Sequence, residues 1–534
     1  MQSGFWQKSC LRYCSRISFQ LALRTSVVRS RTRPYSTSPL PDHDHDNPIL
    51  TNSELLKPKL NYGTLTQHLS AKITNARARK APIDVEAVSS LATIYAQYKD
   101  LLRTINSIRQ EQNSLGPEIQ RAAKAKDVPK RNELLERAKT LKANLSNEEK
   151  KLDILEHQLL ALSLTFPNDT HPESPPGPEP NAKTLSTHGP PPLPGSPTRD
   201  HLSICKKFDL LDFESGSVVT GSSWYYLLNE AALLEMALVK YALNIAVESG
   251  FTPVVTPDVV RADIAARCGF QPREPGGAAS QMYHIANHHH IPPPSSSQTT
   301  TSTPTHPPAP ELVLAGTAEI PLAGMFVNKI YPSDQLPLKV VGVGHAFRSE
   351  AGASAESRGL YRVHQFTKVE LFAVTAEDQS ESMMESVKDI QKRILEGLGL
   401  SFRILDMPSE ELGASAYRKY DMEAWMPGRQ TWGEISSLSN CTDYQARRLH
   451  IRYRPLTPKG STPSENKKAQ SGVLPFAHTL NGTAAAIPRL IVALLENGAV
   501  LSESGEVRYI RLPKVLKPFW IDNKRSVVKW EGEE

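Results

Sequence analysis

Five cysteines in 534 residues (Cys10, Cys14, Cys205, Cys268 and Cys441) are too few and too scattered for a disulfide framework. They form no C-x-x-C pair, which argues against a structural zinc site. No run of about 18 apolar residues occurs, so no membrane-spanning helix and no membrane partner are expected. The most apolar stretch, Ala231 to Val247, is broken by Glu235, Lys240 and Asn244. There is no G-x-x-x-x-G-K-[ST] and no G-x-G-x-x-G, so neither a P-loop nor a dinucleotide fold is indicated. Acidic residues are missing from the first 40 positions, which hold Lys8, Arg12, Arg16, Arg24, Arg29, Arg31 and Arg33. Without those seven, 55 basic residues face 56 acidic ones, so the net charge of +6 belongs to the leader. A strongly basic nucleic-acid-binding body is thereby excluded, and any nucleic-acid contact must use local patches.

Residues 1–35 combine arginine, serine and apolar residues without an acid, the composition of a mitochondrial transit peptide. Arg33-Pro34-Tyr35-Ser36 resembles the site where the matrix peptidase cuts. The mature chain is therefore expected in the mitochondrial matrix, with Cys10 and Cys14 lost. A secretory signal does not fit, because arginines interrupt every apolar stretch.

At about 150 residues per domain the length suggests three or four units, and 39% hydrophobic with 22% charged residues is a soluble globular profile. Residues 36–170 contain a helical hairpin. Ile94, Tyr98, Leu101, Ile105, Ile108, Gln112, Leu115 and Ile119 alternate steps of 4 and 3, and so do Leu134, Ala138, Leu141, Leu145, Glu148, Leu152, Leu155, Leu159 and Leu162. A 3.5-residue period puts one apolar seam on each helix. The polar stretch Arg121 to Lys130, with Pro129 as a breaker, joins two helices of ~35 residues, each ~50 Å long. Lysines and arginines on its outside suit either an ordinary solvated face or a phosphate backbone.

Ten of the 42 prolines fall in residues 171–200, read as a linker, and seven more in 291–310. Residues 288–310 read as a disordered Pro/Ser/Thr-rich insert in a folded domain spanning 201–534. His288, His289 and His290 lie in that low-complexity loop with nothing to orient them, so no metal is assigned there. Thr457 to Gly472 reads as another loop. In the body, a helix over Tyr226–Glu248 ends at Gly250. Extended runs follow at Phe251–Pro257, Leu312–Ala315, Lys339–Ala346, Val363–Val374, Phe402–Asp406, Tyr420–Trp425 and Gly433–Leu438. Few long helices separate them, so the fold class is α+β with an antiparallel sheet.

Three constellations carry chemistry. The first is Thr317-Ala318-Glu319. The second is Phe347-Arg348-Ser349-Glu350, a loop with Arg358 and Arg362, then Val363-His364-Gln365-Phe366 and Lys368-Val369-Glu370-Leu371. The third is Glu434-Ile435-Ser436-Ser437 with Asn440, and Asn481-Gly482-Thr483 leading into Pro488-Arg489 and an apolar helix. Singly, each has a bland reading: an Arg–Glu pair is usually a salt bridge, and a strand Phe is usually core. Together they offer carboxylates for an ammonium and Mg²⁺, arginines for phosphates, an aromatic face for a base, and hydroxyls for a small polar ligand.

With Arg109-Gln110-Glu111-Gln112-Asn113, Phe166-Pro167-Asn168, Ala351-Gly352 and Asp443-Tyr444-Gln445-Ala446-Arg447-Arg448, these motifs occur in one order from about Leu60 to Leu512. That order resembles the seryl-tRNA synthetases of the mitochondrial or bacterial type. The resemblance implies a class II synthetase fold: a six- or seven-stranded antiparallel sheet flanked by helices, an N-terminal tRNA-binding coiled-coil arm, and a homodimer built on the helix before Gly250 and the strand near Pro257. It implies an ATP-dependent serine–tRNA ligase whose partners are L-serine, ATP, Mg²⁺ and tRNA-Ser, acting in mitochondrial translation. No Cys/His ligand set accompanies the motifs, so zinc is not expected.

By the same resemblance, Arg348, Glu434 and Arg489 are catalytic. Arg348 would bridge the serine carboxylate and the α-phosphate, Glu350 would read the adenine amino group, and Val363, His364, Gln365 and Phe366 would form the adenine wall. ATP is further expected at Ser349, Ile435, Ser436 and Ser437, with Arg489 on the γ-phosphate. Glu434 and Ser437 would hold Mg²⁺. Serine selection falls to Thr317, Glu319, Arg348, Glu370, Asn481 and Thr483. Three features depart from the family pattern: Ala484 where Gly often follows the hydroxyl residue, the 288–310 insert, and a mildly basic C-terminus after Leu512.

Overall fold

A computed structural model describes residues 55–270, 282–286, 310–350, 358–456 and 473–533. The 1–35 leader, Arg33–Ser36, His288–His290 and nearly all of the 288–310 insert, Ala351-Gly352 and the Thr457–Gly472 loop lie outside them.

The arm is formed by α1 (Leu91–Lys124) and α2 (Val128–Leu164), both close to the expected length. Their joint is tighter than the sequence suggests. Helix α1 runs through Lys124, and Asp127 caps α2 by accepting from the Lys130 N–H at 3.1 Å, with Pro129 in the first turn. Proline is harmless there because its missing N–H would be unpaired anyway. Seam residues Ile105, Leu115, Leu134 and Leu159 are buried. Others are half-buried, because in a two-helix hairpin each seam is covered from one side only. At the arm's base Val88, Leu91, Leu159 and Phe166 form a separate small core.

The base is fastened to the body by Arg79, 2% exposed. Its guanidinium donates to the carbonyls of Asn168 at 2.8 Å, Asp169 at 3.0 Å and Ala416 at 2.9 Å, and also to that of Gly413. Asn168, from the Phe166-Pro167-Asn168 motif, donates in turn to the carbonyls of Ser415 and Cys441, each at 2.9 Å.

The body is built on one eight-stranded sheet. In chain order its strands are β1 (Lys183–His188), β2 (Thr252–Val255), β3 (Leu338–Phe347), β4 (Gln365–Thr375), β5 (Phe402–Asp406), β6 (Arg418–Met426), β7 (Thr431–Asn440) and β8 (His478–Ala486). They lie in the order β1-β5-β6-β7-β8-β4-β3-β2, antiparallel except for the β2–β3 pair. This corrects two expectations. The sheet is larger than six or seven strands, and residues 171–200 are more than a linker, since they supply the edge strand β1, paired with β5. Prolines flank β1 rather than interrupt it, so no N–H of the ladder is lost within the strand.

Helices α3 (Asn229–Glu248), α4 (Ser380–Gly397) and α5 (Ile487–Gly498) cover one face of the sheet. On β4 the alternation is clean: Val369, Leu371 and Ala373 enter that core, and Phe366, Lys368 and Glu370 take the opposite face. The C-terminus is folded too. Val528–Trp530 pairs parallel to Val507–Leu512, and Trp520 meets Trp530 edge-on at 5.4 Å. Asn523 and Arg525 reach the buried Glu230 of α3 at 2.8 and 3.2 Å. No helix among the described residues is long and apolar enough to cross a membrane.

Candidate active site

The face of β4, β7 and β8 opposite helices α3, α4 and α5 floors an open hollow of about 570 Å³. Strand pairing brings its parts together: Thr483 on β8 lies opposite Glu370 on β4, and Gly482 opposite Leu438 on β7. The hollow is lined by Arg348, Glu350, Val363, Phe366, Lys368, Glu434, Ile435, Ser436, Ser437, Thr483 and Arg489, residues drawn from the second and third constellations. Arg348 leaves the end of β3 with its guanidinium 5.4 Å from the Phe366 ring centroid, while its Nε donates to the Gly316 carbonyl at 3.2 Å. A cation and an aromatic face thus share one wall, the pairing that a nucleotide's base and phosphates require. Glu350 stands 3.8 Å from Arg362.

On the opposite wall Arg489, in the first turn of α5, donates to the Glu434 carboxylate and to its carbonyl, each at 3.0 Å. Burial pushes the Glu434 carboxyl up, but the charges of Arg489, Lys419 and Arg348 more than offset it and hold it down at about 2. Burial, with Arg489 nearby, lowers the Arg348 pKa, whereas Glu434 outweighs burial and raises that of Arg489. The Ser437 and Thr483 hydroxyls meet at 3.3 Å.

A second group lies behind the hollow. Lys368 reaches Glu370 at 2.7 Å and donates to the Thr317 hydroxyl at 3.3 Å. Asn481 donates to Oε1 of Glu319 at 3.0 Å. Burial first, and the Glu370 carboxylate second, push the Glu319 carboxyl up to about 7. Two acids with hydroxyl and amide neighbours make a seat for a small polar cation.

Three expected ATP residues are placed differently. Ser349 does not line the hollow. The His364 ring turns to Tyr283 Oη and the Arg348 carbonyl, each at 2.9 Å, and stacks on Trp224. Gln365 points, by strand alternation, into a second hollow bordered by Trp224, Met236 and His345. Only Val363 and Phe366 of that run line the first one.

Sequence reasoning assigned no role to four residues at the site. Tyr361 is sandwiched between Arg429 at 3.9 Å and Arg489 at 4.6 Å. Lys368 links the two halves. Gln391, buried on α4, donates to the Ser436 hydroxyl at 2.9 Å and to the carbonyls of Ser437 at 2.8 Å and Thr483 at 3.0 Å. Its signal was legible: one amide on the apolar stripe Met383, Val387, Ile390 and Ile394. Gln445 is the fourth. Among the described residues, Asp200, His201 and Glu496 bring possible metal ligands within 4.8 Å. There Glu496 is occupied by the His201 ring at 2.9 Å and the N–H groups of Gly428 at 2.8 Å and Arg429 at 3.1 Å, which is a structural bond set.

Comparison with known proteins agrees with this geometry. Residues 60–170 match the family described as "Seryl-tRNA synthetase N-terminal domain", and residues 305–498 match "tRNA synthetase class II core domain (G, H, P, S and T)". The serine–tRNA ligase of Rhodopirellula baltica is 38% identical over 463 residues, which are 86% of this chain and 97% of that one. The mitochondrial serine–tRNA ligase of Schizosaccharomyces pombe is 38% identical over 462 residues, 86% of this chain and 88% of that one. The crystal structure of seryl-tRNA synthetase from Pyrococcus horikoshii complexed with ATP superimposes with a TM-score of 0.68 at 28% identity, over 86% of this chain and 98% of that one. The chain therefore belongs to the seryl-tRNA synthetase family and is a class II serine–tRNA ligase.

Proposed function

We propose that this chain activates L-serine with ATP to seryl-adenylate and transfers the serine to tRNA-Ser in mitochondrial translation. The reading is carried by one juxtaposition: Arg348 over Phe366 in the hollow, and Lys368 leading from that hollow to Thr317 and Glu370. A nucleotide site and an amino-acid site thereby adjoin, with Lys368 between them.

In the first step a serine carboxylate oxygen attacks the α-phosphorus of ATP and pyrophosphate leaves. The carboxylate is already ionised at neutral pH, so no general base is required, and catalysis is positioning plus neutralisation of charge. Arg348 spans the carboxylate and the α-phosphate with its planar fork. Phe366 and Val363 pack on the adenine, and Glu350 accepts from its amino group. Arg489 leaves Glu434 for the γ-phosphate. Glu434 and Ser437 suit Mg²⁺, a hard ion that takes oxygen ligands, because Glu434 stays ionised and lines the same hollow as Ser437. When bound, the ion neutralises phosphate charge. Glu319 and Glu370 take the serine ammonium and hydroxyl with Thr317, Asn481 and Thr483, so alanine would leave buried polar groups unpaired. In the second step the terminal ribose hydroxyl of the tRNA attacks the acyl carbon and AMP departs.

The arm lies along the tRNA, and two chains pair through the α3 face. In support of pairing, Met236 and Val247 on α3 and Val255 at the end of β2 are 49%, 45% and 90% exposed, apolar surface that a partner chain would cover. The acid-free leader sends the chain to the matrix, a reading supported by the mitochondrial relatives of Schizosaccharomyces pombe and Saccharomyces cerevisiae. Charging of mitochondrial and cytosolic tRNA by the processed chain, with import of a fusion carrying residues 1–40 into isolated mitochondria, tests both parts. Serine acceptance by mitochondrial tRNA-Ser and import are expected; failure of either refutes that part.

A further inference from the structure

Gln445 belongs to the Asp443–Arg448 run, to which the reading above gives no chemical role. It is fully buried on the short helix Tyr444–Leu449. Its amide is locked in one orientation. Nε2 donates to Oε1 of Glu319 at 2.5 Å and to the Cys268 carbonyl at 3.1 Å, while Oε1 accepts from the Thr479 hydroxyl at 2.7 Å. A flipped amide would set its oxygen against the Cys268 carbonyl, which cannot donate, and against the ionised Glu319 carboxylate. The N–H toward Glu319 is therefore obligatory. Asn481 adds a second N–H to the same oxygen at 3.0 Å and is itself held on the Cys441 sulfur at 3.4 Å. Oε2 of Glu319 receives no hydrogen bond from any described residue.

We propose that Gln445 is a positioning residue for amino-acid selection: by occupying Oε1 of Glu319 it leaves Oε2 as the single seat for which the amino acid's ammonium and a proton compete. The inference rests on the serine-site reading above and deepens it. Around Glu319 the groups that bear charge are Glu370, which disfavours its ionised form, and Lys368 and Arg348, which favour it. The neighbouring thiols of Cys268 and Cys441 are buried, which raises their pKa values and keeps them neutral. Against burial and Glu370, the Gln445 N–H, the closer of the two donors on Oε1, helps to keep the carboxylate available near neutrality. The ammonium needs the ionised acid, so binding weakens as pH falls through the Glu319 transition.

The test is the KM for serine in ATP–pyrophosphate exchange by the full chain, from about pH 6 to about pH 8.5, with the KM for ATP as control. In the unaltered protein the serine KM is expected to climb about tenfold per pH unit below the transition. Gln445→Met, close in volume but without the N–H, should move the transition upward. It should raise the serine KM about three- to tenfold at neutral pH and about twofold or less at the alkaline end, with the ATP KM unchanged. An equal rise at every pH, or none, overturns the proposal and leaves Gln445 a structural residue. Should Gln445→Met not fold, Thr479→Val releases the amide without touching Glu319 and should shift the profile the same way by less; an unshifted profile there also overturns it. A serine KM that is flat with pH in the unaltered protein refutes instead Glu319 as the ammonium seat, the reading underneath.

Discussion

Arg489 closes on Glu434 twice, through the carboxylate and through the backbone carbonyl of the same residue. The pair holds in place, and keeps charged, an acid and a base that the proposed chemistry needs apart, one on a cation and one on a phosphate. Glu434→Gln preserves shape but removes the charge. It is expected to lower serine-dependent exchange by about 10²-fold or more in a protein that still folds, with a lower melting temperature because the ion pair to Arg489 is lost. Because Glu434 is held down at about 2, its ionisation contributes no activity change across the neutral range. A variant retaining near-normal exchange at saturating Mg²⁺ would show that this carboxylate is only a salt-bridge partner.

Arg79 ties the arm's base to the body through four carbonyl oxygens, three of them at 2.8 to 3.0 Å. Arg79→Ala strands these buried acceptors and is expected to cost about 3 kcal/mol or more. Denaturant unfolding followed by circular dichroism reads this directly, and a loss below about 1 kcal/mol would mean that water replaces the guanidinium.

Much of this architecture was legible. The 4-and-3 spacing announced the hairpin, and β-rich runs located β3 to β7 within a few residues, because period-2 and period-3.5 patterns report burial directly. What stayed hidden has physical reasons. Strand β1 sits in a proline-rich stretch and is partly exposed, so it shows no alternation. Gln391 and Gln445 act through hydrogen bonds to residues more than 40 and 120 positions away, and no local pattern encodes such pairs. Arg348, Phe366, Glu434 and Arg489 were found through motif order and meet in the hollow, whereas His364 and Gln365 were carried along by adjacency in sequence although strand alternation turns Gln365 away.

Excising residues 103–150 and closing the helices with a short turn leaves Val88, Leu91, Leu159 and Phe166 in place. Amino-acid activation is expected to persist while tRNA charging falls by about 10²-fold or more, since the arm's lysines and arginines contribute phosphate contacts. Charging at the normal rate by the shortened protein would remove the arm from tRNA recognition.

Met236→Asp sets a charge on the exposed stripe of α3. Sedimentation should show monomers in place of dimers, with loss of exchange activity; an unaltered sedimentation coefficient would place the dimer contact elsewhere.

The most direct measurement is ATP–pyrophosphate exchange by the purified mature chain against a panel of amino acids. Exchange that depends on serine, exceeds that with alanine or threonine by several powers of ten, and disappears in Arg348→Ala is the predicted result. No exchange with serine, or faster exchange with another amino acid, would contradict the account.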